Sequence, residues 1–175
     1  YNLGGGSISG EKTSYTVESE TFTLPIPVRE GYTFSGWTGS NGGVLQTTVK
    51  VEKGSTGNKA YNANWSPVAY QITYHLNGGS MTGQKTSYTI ESADFILPTP
   101  VKDGYEFMGW TGSNGTTPQT RVVISKGSMG NRTYQANWKE LYGILMEGAD
   151  FNEKIKTLST GKSSNLGTVN TEIKS

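Results

Sequence analysis

Apolar and polar residues alternate with period two over Tyr70-Gln71-Ile72-Thr73-Tyr74-His75-Leu76, which places Tyr70, Ile72, Tyr74 and Leu76 on one face of a predicted strand. Asn77-Gly78-Gly79 ends it, because asparagine and glycine accept the positive φ of a tight turn. The alternation resumes over Thr86-Ser87-Tyr88-Thr89-Ile90 as a second strand. Phe95-Ile96-Leu97 is a short apolar run closed by Pro98-Thr99-Pro100, whose two prolines withdraw ladder donors and favour an edge-like connection. Residues 120–124 read as a β-branched strand, 126–131 as a turn, and 133–138 as a closing strand with Tyr134, Ala136 and Trp138 facing one way. No stretch between 70 and 138 holds a 3.6-residue period for three turns; residues 92–95 offer one helical turn at most.

The same words occur twice. Gly104-Tyr105-Glu106-Phe107-Met108-Gly109-Trp110-Thr111-Gly112-Ser113-Asn114-Gly115 nearly repeats Gly31-Tyr32-Thr33-Phe34-Ser35-Gly36-Trp37-Thr38-Gly39-Ser40-Asn41-Gly42, 73 positions earlier. Laid on residues 74–138 without a gap, residues 1–65 give 40 identical pairs, so the chain is a tandem duplication. The expected division is a first module over 1–66, a second over 67–139, and a tail over 140–175. Ser66-Pro67-Val68-Ala69 forms a short linker between the modules. The counterparts of Tyr70 to Thr73 would lie before Tyr1, so the first module is expected to have a truncated N-terminal strand, its edge frayed or completed by strand exchange with another chain. In the tail, Asp150-Phe151-Asn152-Glu153 resembles a capping box, and Phe151, Ile155 and Leu158 fall on one face of a short predicted helix over 151–158. A linker rich in Ser, Thr, Gly and Asn follows, and its weakly alternating end, 168–173, has the form of a further module's first strand.

Charge narrows the possible partners. Fifteen basic and 14 acidic residues are scattered along the chain for a net charge of +1, which leaves neither a nucleic-acid footprint nor a polybasic membrane patch. No apolar run approaches the roughly 20 residues of a membrane span. With no cysteine, each small core has no disulfide to supplement it and must rest on a few large side chains.

Candidate chemistry is sparse. One histidine and no cysteine give no nucleophile–base pair, and His75 lies on the polar face of its strand. The carboxylates present in both copies, Glu18 with Glu91 and Glu30 with Asp103, sit at turns and form neither an acid–base pair nor a calcium loop. Gly4-Gly5-Gly6 lacks the lysine and helix of a phosphate loop. An enzyme is therefore not expected, and neither is a cofactor or a metal. Four tryptophans and ten tyrosines can fill small cores or anchor a ligand. Trp65 and Trp138 read as core. Trp37 and Trp110 stand beside a Thr-Gly-Ser-Asn-Gly loop that is identical in both copies, so Trp37, Ser40, Asn41, Trp110, Ser113 and Asn114 are the candidate ligand-contacting set, with a demanding turn as the competing explanation. Lys53 and Lys126 with Asn64 and Asn137 are, by residue type alone, candidates for an internal isopeptide crosslink.

Three ordered motifs carry a family resemblance: Tyr-x-Ile-x-Tyr-x-Leu-Asn-Gly-Gly at 70–79, Gly-Tyr-x-Phe-x-Gly-Trp at 104–110, and Tyr-x-Ala-x-Trp at 134–138. Together they resemble the Listeria-Bacteroides repeat, the family that includes the internalin B-repeat, and the likeness covers residues 1–138. It implies a mainly β fold, with small α+β as the variant, built from two tandem β-grasp-like modules of the ubiquitin or SUMO sort. It further implies an extracellular place at the bacterial cell surface or cell wall, no catalysis, and a stalk or spacer role with a possible adhesive, protein-binding side. The alternative is an adhesin-like recognition module that binds host glycan or extracellular-matrix protein through its aromatic and loop surface. Adjacent repeats of the same parent chain are further expected partners.

Overall fold

The computed structural model describes residues 1–141, so the helix predicted over 151–158 and the linker after it lie outside the described residues. Every regular element among those residues is a strand, in agreement with the mainly β expectation. The first copy contributes β1 (Phe22–Thr23), β2 (Tyr32–Gly39), β3 (Gly42–Gln46), β4 (Lys50–Val51) and β5 (Tyr61–Pro67). The second contributes β6 (Tyr70–His75), β7 (Ser87–Tyr88), β8 (Phe95–Ile96), β9 (Tyr105–Gly112), β10 (Gly115–Gln119), β11 (Val123–Ile124) and β12 (Arg132–Glu140). The sheets are β3-β2-β5 and β1-β4, then β10-β9-β12-β6-β7 and β11-β8. Cα proximity groups the chain differently from the duplication: Tyr1–Ile72 with Thr86–Phe95 and Ile124–Asn131 make one compact unit, and Thr73–Lys85, Ile96–Val123 and the residues from Arg132 make the other.

Each copy is built on a long hairpin. In the second, β9 pairs antiparallel with β12 from Glu140↔Tyr105 to Tyr134↔Gly112, and turns back as β10 on its other side. In the first, β2 pairs with β5 and β3 in the same way. β10 and β3 are fully exposed edge strands, and Pro118 is tolerated in β10 because an edge strand can forgo a ladder donor. The predicted strand over 120–124 contracts to Val123–Ile124, and that over 86–90 contracts to Ser87–Tyr88. Residues 92–95 form no helical turn. The backbone instead turns at 89–92, where Ser92 N–H donates to Thr89 O at 3.0 Å and Thr89 N–H donates to Ser92 Oγ at 3.0 Å, and Phe95 then opens β8.

The first core is Leu24, Trp37, Val49, Val51 and Tyr61, with Leu3, Ile8, Tyr15, Phe22, Phe34 and Ala63 packed against it. Their counterparts Leu97, Trp110, Val122, Ile124 and Tyr134 are buried too. In both copies one aromatic sits at the centre. Trp37 lies 5.3 Å from Phe34 and 6.4 Å from Tyr61, and Trp110 lies 5.3 Å from Phe107 and 6.4 Å from Tyr134, all edge-to-face.

A bulge breaks the β9–β12 register between Asn137 and Trp138. Asn137 bridges it, its Nδ2 donating to Gly109 O and Thr111 Oγ1 at 3.0 Å each and to Gln135 O at 3.2 Å; Asn64 repeats this set in the first copy. Gly109 faces the bulge with φ +129°, and a Cβ there would lie 2.5 Å from Gln119 N. Asn137→Ala strands these acceptors and is expected to cost about 1–3 kcal/mol, read as a lower urea midpoint with an unchanged m-value.

Burial raises the Tyr74 phenol from its ordinary 10 to about 12, with Tyr134 adding to the shift, and its hydroxyl donates to Lys85 O at 3.0 Å. The unfolded phenol ionises first, so this stabilisation is complete below pH 10 and lost as pH rises toward 12. The thermal midpoint should therefore fall across that window, and Tyr74→Phe should flatten the fall.

Candidate functional site

The six residues singled out by sequence sit at the tip and root of the β2–β3 and β9–β10 hairpins. Trp37 and Trp110 are 0% exposed, so their ring faces are covered by core side chains. Ser40 and Ser113 are exposed, while Asn41 and Asn114 are half-buried. Their polar groups hold the turn. Ser40 Oγ accepts from Ala60 N–H at 2.8 Å, and Ser113 Oγ accepts from Thr133 N–H at 2.8 Å. Asn41 Nδ2 donates to Trp37 O at 2.8 Å, and Asn114 Nδ2 donates to Trp110 O at 2.7 Å. The identity of the loop between copies thus has a structural cause, and a ligand reaching it would meet serine and asparagine rather than indole. The indole N–H groups of both tryptophans and the Oδ1 atoms of both asparagines are buried without a hydrogen-bond partner.

The tryptophans nearer the surface are the other pair. Trp65 and Trp138 are half-buried, and their indole nitrogens donate to Leu3 O at 2.8 Å and Leu76 O at 2.9 Å. Trp65 and Phe34 line a shallow apolar groove in the first copy, whose rim carries the exposed Ile26 and Val28 and the Arg29 guanidinium stacked 3.7 Å over Tyr32. Sequence reasoning missed this groove because Ile26 and Val28 flank a proline in what reads as a connection. A second groove, of about 620 Å³, runs beside Tyr15, Phe22 and Tyr61.

The remaining candidates are dispersed. His75, Glu18, Glu91, Glu30 and Asp103 are all exposed. Among the described residues, no three His, Cys, Asp or Glu side chains gather as metal ligands would. The Lys53 ammonium does not approach an asparagine amide in a buried setting; it is about half exposed and pairs with Glu20 at 2.6 Å. Asn64 and Asn137 are committed to the bulges, and the amide donors an isopeptide bond would remove hold those bulges together.

Two comparisons bear on this arrangement. Residues 70–137 match the family model of the Listeria-Bacteroides repeat domain, and residues 1–69 match that of the divergent InlB B-repeat domain. Internalin H of Listeria monocytogenes serovar 1/2a (strain ATCC BAA-679 / EGD-e) is 31% identical over 135 residues, covering 75% of this chain. The match spans about a quarter (24%) of that relative's own length. No enzyme family is among these matches. No solved structure matches the chain.

Proposed function

Residues 1–137 are a tandem of Listeria-Bacteroides-type repeats, and from that premise we propose that the chain is a non-catalytic spacer within a larger extracellular protein of the bacterial surface. The observation that supports it most is the placement of the recurrent aromatics. Trp37 and Trp110 are wholly buried at matching distances from matching partners, which is what a repeat needs to fold. A recognition surface would instead hold aromatic faces open to a ligand. Each repeat closing its own sheet on its own core lets length grow by adding copies. We read the modules as 1–66 and 67–139, and the sheet-plus-ribbon architecture as β-grasp-like, with no helix among the described residues.

The test is to insert an additional copy of residues 67–139 and pull the chain by its ends. The spacer reading expects one further unfolding step of roughly 200–250 Å, since an extended residue spans about 3.5 Å, and no gain in binding to glycan or matrix-protein panels. Binding that rises with copy number would make the repeats adhesive and overturn the reading.

A further inference from the structure

Asparagine is followed by glycine three times in the chain, at Asn41-Gly42, Asn77-Gly78 and Asn114-Gly115. The pair is chemically labile, because a glycine has no Cβ to keep its backbone nitrogen from reaching the preceding side-chain amide. The structure treats the three sites unequally. Asn41 and Asn114 are half-buried in their hairpin tips, with Oδ1 buried and Nδ2 held by Trp37 O at 2.8 Å and Trp110 O at 2.7 Å. The glycines that would attack, Gly42 and Gly115, are ladder partners of Gly39 and Gly112. Reaction at either tip requires the hairpin to open first.

Asn77 and Gly78 are both exposed. Asn77 has φ +52° and Gly78 φ +86°, and the turn they form is closed by Gly79 N–H donating to Leu76 O at 3.0 Å. That bond joins the outer residues of the turn and leaves the Gly78 N–H free. Lys102 Nζ donates to Asn77 O at 3.1 Å. Asn77 O and Gly78 N belong to one peptide group, so a cation on the oxygen stabilises the anion formed when the nitrogen loses its proton. The side-chain amide is restrained by one bond, from Nδ2 to Ala136 O at 2.8 Å. Breaking it displaces no strand.

We propose that Asn77 is a site of spontaneous deamidation in the folded chain, activated by Lys102, while Asn41 and Asn114 are protected. Gly78 N gives its proton to water and bonds to Asn77 Cγ; the Cγ–Nδ2 bond breaks and the nitrogen leaves, reprotonated, as ammonia. Water then opens the resulting cyclic imide at one of its two carbonyls, giving aspartate or the isomer whose main chain runs through the β-carboxyl. No oxidant or reductant takes part. In both products the amide donor is replaced by a carboxylate, which only accepts, facing Ala136 O. The tie from this turn to β12 is lost beside Leu76 O, the acceptor of Trp138 Nε1–H at 2.9 Å. Gly4 stands at the matching position of the first copy, so the change is confined to the second. None of this depends on the spacer reading.

The test incubates the 175-residue chain at mildly alkaline pH, with and without guanidinium chloride, and follows amide-to-acid conversion at the three asparagines by digestion and mass spectrometry. In the folded chain Asn77 should convert at least about tenfold faster than Asn41 or Asn114. In denaturant the three should converge, and the isomer should accompany aspartate because both arise from the imide. Lys102→Met should slow Asn77 about threefold to tenfold in the folded chain and leave its rate in denaturant unchanged. The aged chain should show a lower urea midpoint. Asn77→Gly, which copies Gly4 at φ +55°, should keep its midpoint on incubation. Conversion of Asn77 no faster than that of Asn41 and Asn114 in the folded chain, or aspartate as the sole product, would overturn the proposal.

Discussion

Trp110→Ala is expected to remove most of the stability of the second copy. The side chain is fully buried and packs edge-to-face with Phe107 and Tyr134, with Tyr74 5.7 Å away, so truncation empties the centre of an aromatic cluster. Removing a buried aromatic of this size costs about 3–5 kcal/mol, set against roughly 4–10 kcal/mol for a domain of this length. Urea unfolding followed by far-UV circular dichroism should show the loss as a large drop in midpoint, and Trp37→Ala should behave alike because Trp37 has matching neighbours. A cost below about 1 kcal/mol would mean that the ring is not held in the core and is open to a ligand.

Gly112→Ala should be comparably severe for a different reason. Gly112 sits at φ +117°, and an added Cβ would lie 2.3 Å from the Thr133 carbonyl oxygen. That neighbour is backbone of the paired strand and cannot swing aside, so the β9–β12 ladder must open locally. Strain plus clash amounts to on the order of 3–5 kcal/mol. Gly115 separates the two contributions: it has a similar φ of +110° but open space around its Cβ position. Gly115→Ala should therefore cost only about 1–2 kcal/mol. Equal costs at both positions would show that conformation alone sets the penalty and that the close approach is relieved cheaply.

β6 and β12 were legible in the sequence because their alternation coincides with a half-buried sheet, whereas β2 and β9, whose alternation is interrupted at Gly36 and Gly109, were not read as strands. Tyr70, Ile72, Tyr74 and Leu76 do share the more buried face of β6 and its end, and β12 closes the repeat as its apolar positions require. β3 and β10 were not legible. Gly-Gly-Val-Leu-Gln and Gly-Thr-Thr-Pro-Gln are exposed at every position, so they carry no burial pattern and take their conformation from β2 and β9. The depth of Trp37 and Trp110 was obscured by the polar loop that follows them; that loop is a hairpin tip, and the indoles lie at its root, inside the sheet. Asn64 and Asn137, crosslink candidates by residue type, have their amides hydrogen-bonded across a bulge. The identical Ala-Asn-Trp in both copies was the available signal.

The account turns on the claim that residues kept identical between the copies are kept for folding. The direct measurement is binding of the chain, and of a variant with Ser40, Asn41, Ser113 and Asn114 replaced by alanine and checked to be folded, to broad panels of glycans and matrix proteins. The account predicts that neither protein binds and that the variant is merely less stable, since it loses the turn hydrogen bonds. Specific binding by the parent chain that the folded variant loses would contradict it and make the hairpin tips an adhesive site.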